Sequence, residues 1–249
     1  MAVEVRIPTI LRKHTGGEKA VTADGDTAKL EQVHPGGVFE GVIVREHAVL
    51  APGTTLRGKV GDVFEITFVN DGTIGHGIDF HAGALAPDRP MRVIGPGESL
   101  TYRFTATRAG VWMYHCSAQP MSLHIANGMF GAVIIDPPDL PPVDREFLLV
   151  QSEQYWGPQG EAGSPAKLAV RTPDAVAFNG YPSQYAREPL QARTGERVRI
   201  WLLNAGPNES LAFHVVGGQF VLHDRRHGVG LGDLLGLQPL ALEHVEEVG

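Results

Sequence analysis

Residues 114–129 concentrate the chemistry of this chain. The stretch Tyr114-His115-Cys116-Ser117-Ala118-Gln119-Pro120-Met121-Ser122-Leu123-His124-Ile125-Ala126-Asn127-Gly128-Met129 contains the only cysteine of the 249 residues. A histidine precedes that cysteine directly, another follows eight residues later, and a methionine comes five further on. A soft thiolate, two imidazoles and a weak thioether are the donor set of a blue-copper electron-transfer centre. Further imidazoles stand upstream, in His76-Gly77-Ile78-Asp79-Phe80-His81.

Extended-chain geometry divides these donors. Neighbouring residues on a strand point to opposite faces, so His115 and Cys116 serve different metals. His76 and His81, five apart, also differ in parity, whereas Asp79 and His81 share a face. Two constellations follow. One gathers Cys116, His124, Met129 and one upstream histidine, assigned as His76; the other gathers His81 and His115, with Asp79 beside them. The first would exchange electrons with little rearrangement; the second, with nitrogen donors and an open position, would hold a small oxygen-bearing ligand. The peptide bond between residues 115 and 116 couples the two, an arrangement suited to a two-metal reductase or oxidase.

The elements that must position these residues read as short strands. Phe64, Ile66 and Phe68 alternate with Glu65 and Thr67, and Leu100, Tyr102 and Phe104 with Thr101, Arg103 and Thr105. Val111-Trp112-Met113-Tyr114 and Ala132-Val133-Ile134-Ile135 follow, with Asn-Asp-Gly, Gly-Pro-Gly and Asn-Gly turns between runs, as in an antiparallel sandwich. Asp136-Pro137-Pro138-Asp139-Leu140-Pro141-Pro142 makes a stiff linker. Beyond it the pattern repeats: Gly61-Asp62-Val63-Phe64-Glu65-Ile66-Thr67-Phe68-Val69-Asn70-Asp71-Gly72 is echoed at 195–206, from Gly195-Glu196-Arg197 to Asn204-Ala205-Gly206. Phe80-His81 is matched by Phe213-His214. Tandem copies of one sandwich are expected. The second stops short, and Asp233 to Val248 is expected to form a short amphipathic helix. The expected divisions are an extension at 1–36, a first domain at 37–137, a linker at 138–145, a partial second domain at 146–220 and a divergent tail at 221–249. The fold class is all-β, with the second sandwich incomplete.

The N-terminal segment stands apart. Val3, Val5 and Ile7 alternate with Glu4 and Arg6, a turn falls at Thr15-Gly16-Gly17-Glu18, and Ala20-Val21 begins a return strand, which together predict an appended hairpin. The run Ile7-Pro8-Thr9-Ile10-Leu11-Arg12-Lys13-His14-Thr15-Gly16-Gly17, then Gly25-Asp26-Thr27, resembles the opening of ubiquitin-like sulfur-carrier proteins. It covers little of that fold, and no sulfur-transfer role is carried over.

Taken together, His76-Gly77-Ile78-Asp79-Phe80-His81-Ala82 and the spacing of His115, Cys116, His124 and Met129 resemble copper-containing nitrite reductases and their multicopper-oxidase relatives. The similarity runs from about residue 45 to 220 and includes Phe213-His214-Val215-Val216-Gly217. It implies two cupredoxin Greek-key sandwiches per chain and a ring of three chains. It also implies type 1 copper at His76, Cys116, His124 and Met129. Type 2 copper would lie at His81 and His115, with a third histidine from late in the neighbour's second domain. Asp79 and His214 would bind substrate and deliver protons. Nitrite, or another small oxidant, and a small electron-donor protein or reductant are the implied partners. The third type 2 histidine lies in a part that the shortened second domain lacks, so a less occupied type 2 site and a weaker homotrimer are expected. His14, His34, His47, His223, His227 and His244 are read as surface residues. Two alternatives stay open: a laccase-like oxidase reducing oxygen, which needs more His-x-His pairs, and a type 1 copper electron carrier without enzymatic activity.

Composition narrows the classes. A net charge of −7 offers nucleic acid no basic face. Apolar residues make up 43 % and charged ones 20 %, enough to fill a core. One cysteine leaves no intrachain disulfide. No run approaches a membrane span, and the first residues lack the apolar stretch of an export signal, although the resembled proteins are usually periplasmic or secreted.

Overall fold

The computed structural model describes residues 55–86, 90–158 and 161–213, and five flanking strands by their backbone. Two of these, β1 (Val3–Arg6) and β2 (Ala20–Ala23), pair antiparallel as the expected hairpin.

In the first half, β3 (Phe39–Ile43), β5 (Val63–Val69) and β7 (Ser99–Thr105) form one sheet. The second sheet has the order β4-β9-β8-β6, from β4 (Leu56–Lys59), β6 (Ile78–Phe80), β8 (Gly110–Cys116) and β9 (Phe130–Asp136). The alternation read in the sequence is the alternation of burial: along β7 every second side chain is buried. Phe64, Ile66 and Phe68 face Phe104, Tyr102 and Leu100 across the β5–β7 ladder. They pack against Leu56, Ile78, Phe80, Tyr114, Val133 and Ile135 of the other sheet. Phe64 and Phe104 stack at 5.1 Å, and Phe80 meets Tyr102 edge-on at 5.2 Å.

The second half contributes a single five-stranded sheet among the described residues, in the order β11-β10-β12-β14-β13. Its strands are β10 (Arg145–Gln154), β11 (Ala175–Phe178), β12 (Val198–Asn204), β13 (Gln219–His223) and β14 (Leu240–Glu246). The internal repeat is structural. β5 pairs parallel with β3 as β12 does with β10. At the strand ends, Asn70 Oδ1 accepts from Gly72 N–H, and Asn204 Oδ1 from Gly206 N–H. The helix expected over Asp233 to Val248 is instead strand β14 at Leu240–Glu246, so the sheet continues past Phe220. That strand lies between β13 and β12, the latter about 40 residues upstream with Leu242 opposite Ile200, and this pairing outside the segment overrides a weak local helical pattern.

Strand β8 faces two cores. Tyr114 enters the interior of the first sandwich, with Trp112 packed against it. Val111 and Met113 point the other way and join Phe130, Ala132 and Ile134 against Val150, Trp201, Leu203 and Ala205 of the second half. The halves thus share a buried apolar cluster. Beside it, Arg57 binds Asp136 at 2.9 Å and Glu146 at 2.6 Å, and Glu146 also accepts from Arg199 and the Trp201 indole. Among the described residues no helix is long and apolar enough to cross a membrane.

Candidate metal centres

The first donor group forms where three segments meet at the end of β8. Cys116 closes that strand and is 2 % exposed. Helix α1 (Met121–Ala126), unforeseen from the sequence, carries His124 in its last turn and folds back on β8. Met129 N–H donates to His124 O at 3.1 Å, and Cys116 N–H to Met129 O at 3.0 Å. His76 arrives on a loop bridged to Ile94 by two backbone bonds. That loop is shaped by Asn70, fully buried, whose Nδ2 donates to the carbonyls of Ile74 and Ile94. In the sequence Asn70-Asp71-Gly72 reads only as a turn, and nothing local reveals the buried amide.

His76 Nδ1 lies 3.5 Å from Cys116 Sγ, Cys116 Sγ 3.4 Å from His124 Nδ1, and His124 Nδ1 3.4 Å from Met129 Sδ. A four-coordinate ion held at about 2.0–2.3 Å by nitrogen and sulfur needs donors about 3.4–3.8 Å apart, so the cluster fits a bound metal. Burial pushes the Cys116 thiol up, partly offset by the backbone N–H groups of Gly77 and Ala118. Burial and the neighbouring His76 push His124 down, keeping its lone pair free of a proton. A metal entering here therefore displaces a thiol proton and meets a neutral imidazole. Thiolate, thioether and imidazoles together favour copper over harder ions.

The second group lies on the opposite face of the same strand. Asp79 of β6 is directly across the ladder from His115, and Ile78 across from Cys116. His81 begins the 3-10 turn His81–Gly83 that follows β6. His81 Nε2 and His115 Nε2 are 3.0 Å apart, the separation about 2.0 Å bonds to one ion would give. Asp79 Oδ2 stands 4.0 Å from His81 Nε2. His115 Nδ1 is 3.0 Å from its neighbour's carbonyl, Cys116 O, which can only accept. Nδ1 therefore carries the proton and Nε2 presents its lone pair towards His81. Burial pushes His81 down, against the pull of Asp79 and with the help of His115. The side chains of His81 and Asp79 are 25 % and 29 % exposed, so this group opens to the surface, whereas His76, Cys116 and His124 of the first are buried.

Every predicted donor whose side chain is described thus falls into its expected group. His214 lies outside the described residues, as do the side chains of His14, His34, His47, His223, His227 and His244. Missed in the sequence were Asn70, Tyr102, whose hydroxyl accepts from Ile78 N–H at 2.9 Å, and Asn127.

Residues 42–140 match the multicopper oxidase family model. Over 179 residues the chain is 38 % identical to the copper-containing nitrite reductase of Neisseria gonorrhoeae, covering 68 % of this chain and 46 % of that one. The chain spans about half the length of such relatives. It is also similar to the copper nitrite reductase structure from Nitrosomonas europaea, at 34 % identity and TM-score 0.66, covering 78 % of this chain and 73 % of the other. A copper-containing nitrite reductase from Thermus scotoductus matches with TM-score 0.67 and 29 % identity, over 78 % of this chain and 48 % of the other.

Proposed function

Because this chain belongs to the family of copper-containing nitrite reductases and multicopper oxidases, we propose that it is a copper-dependent oxidoreductase reducing nitrite to nitric oxide. His76, Cys116, His124 and Met129 would hold type 1 copper, and His81 and His115 would hold type 2 copper. Copper, when bound, supplies the one-electron chemistry at both places. The observation that carries this proposal is the placement of two donor groups on opposite faces of β8, joined by one peptide bond between His115 and Cys116.

The residues of the chain supply the rest. One electron and two protons convert nitrite to nitric oxide and water. The Asp79 carboxylate, across the ladder from His115 and open to solvent, can hold a proton at Oδ2 for the departing oxygen. His214, within the run Phe213-His214-Val215-Val216-Gly217 that resembles these reductases, is the second proton donor. The His115 Nδ1–H bond to Cys116 O fixes the ring so that only Nε2 faces the ligand. Buried His76 and Cys116 keep water from the first centre, and an exogenous electron-donor protein is the reductant. Assembly as a homotrimer, weaker than that of the resembled proteins, is part of this proposal; His81 and His115 are the type 2 imidazoles that the described residues provide.

The test is nitric oxide release from copper-loaded protein given nitrite and a reduced donor, with copper per chain measured alongside. More than one copper per chain, with the second site less than fully occupied, and nitrite-dependent release are expected. Two coppers with no release would refute the nitrite assignment, and oxygen uptake with a phenol would point to the laccase-like alternative. A single blue copper without turnover would mark an electron carrier.

A further inference from the structure

We infer that Asn127 is a positioning residue that clamps the copper-binding loop to the second half of the molecule. This rests on the copper assignment of His76, Cys116, His124 and Met129. Asn127 caps α1, three residues after His124 and two before Met129. Its backbone N–H and side-chain Nδ2 both donate to Leu123 O, at 3.0 and 2.8 Å, closing the last turn of the helix. Its Oδ1 turns outward and accepts from Gly163 N–H at 2.7 Å. One amide thus sets the end of α1 and its distance from a loop in the other half.

The far side of the clamp is held by hydrogen bonds and packing. Gly163 precedes Ser164, which caps helix α2 (Pro165–Ala169) and whose N–H donates to Tyr155 O at 2.8 Å. A Cβ on Gly163 would stand 2.8 Å from Tyr155 O and 3.3 Å from Asn127 Oδ1, so only glycine allows this approach. Tyr155 is 2 % exposed, and its ring packs against Ala126 and Leu168, with Leu123 at the edge. Its hydroxyl accepts from Asn208 at 2.8 Å and stands 3.4 Å from the buried Glu153 carboxylate. The loop holding His124 and Met129 is therefore seated on the second half's interior. The position of His124 Nδ1 against Cys116 Sγ depends on that seating.

The test compares three variants with the parent protein, loaded with copper(II), by visible and EPR spectroscopy and copper titration. Asn127→Ala loses both side-chain bonds and is expected to bind type 1 copper about 10-fold more weakly, the low end of the loss for groups bonded directly to a ligand, because Asn127 acts through α1. The relative intensities of its thiolate-to-copper bands should change as well. Asn127→Asp keeps the acceptor for Gly163 N–H but turns a carboxylate oxygen towards Leu123 O in place of the N–H donor, and should change the band ratio less than Asn127→Ala does. Gly163→Ala leaves α1 untouched, displaces the clamp from the other side, and should reproduce the spectral change of Asn127→Ala even if that variant folds poorly. Parental spectra and affinity in both Asn127→Ala and Gly163→Ala would overturn the inference while leaving the copper assignment intact. A parent protein with no blue band would overturn both.

Discussion

Replacing Tyr102 with phenylalanine isolates one hydrogen bond that supports both donor groups. Tyr102 is fully buried, and its hydroxyl accepts from the N–H of Ile78, itself 1 % exposed. Ile78 stands two residues after His76 and directly before Asp79. Phenylalanine keeps the ring and its 5.2 Å contact with Phe80, so no large cavity opens. What changes is that a buried backbone donor loses its partner, a desolvation penalty of about 1–3 kcal/mol. At about 2 kcal/mol, a chain of this size should melt about 4–8 °C lower. Burial pushes the phenol up to about 12, so it stays protonated through the neutral range and the penalty should not vary there. Urea unfolding of the metal-free protein measures the loss, with the midpoint falling and the slope unchanged. Copper binding should weaken at both centres, since β6 leads into each. A stability change below about 0.5 kcal/mol would refute the reasoning, because it would mean that Ile78 N–H does not depend on this oxygen.

Other substitutions probe separate parts. Cys116→Ser should abolish the blue absorption while copper persists at His81 and His115; loss of both metals together, read by metal analysis, would contradict the separation of the centres. Gly131→Ala places a Cβ 2.4 Å from the Tyr114 hydroxyl, which is packed and unable to withdraw, and should destabilise by about 1–3 kcal/mol in denaturant titration. Burial pushes the Glu146 carboxyl up, but hydrogen bonds from Arg57, Trp201 and Arg199 outweigh it and bring it down to about 2. A carboxyl lowered on folding contributes stability above its unfolded value near 4.5, and that contribution fades as pH falls towards 2. Glu146→Gln should therefore be less stable than the parent at neutral pH and lose less on acidification; parallel acid-melting curves would contradict this.

The donor groups were legible because strand parity is a short-range rule. Once β8 was read as extended, His115 and Cys116 had to part, and Asp79 had to join His81. The repeat was legible too, since Asn70-Asp71-Gly72 and Asn204-Ala205-Gly206 make the same side-chain turn. Long-range partners were not legible. β14 is a strand because β12 and β13 offer it ladders on either side, and nothing within residues 233–248 says so. Asn127 likewise looks like half of a turn signal until Gly163 is brought within 2.7 Å by the fold. Tyr102 reads as one apolar position of an alternating run, and its hydroxyl acquires a role only when the sandwich closes over Ile78.

The apolar cluster common to both halves bears on how this molecule can be divided. The proline-rich segment at 137–142 looks like a place to cut, yet Val111, Met113, Phe130, Ala132 and Ile134 rest on Trp201 and Leu203 across it. A fragment ending there would carry both sets of metal donors and expose a greasy flank to water, inviting aggregation. Severing only the segment, with both pieces present, should instead leave a nicked molecule that stays assembled. The boundary exists in the covalent chain and not in the energetics of the fold.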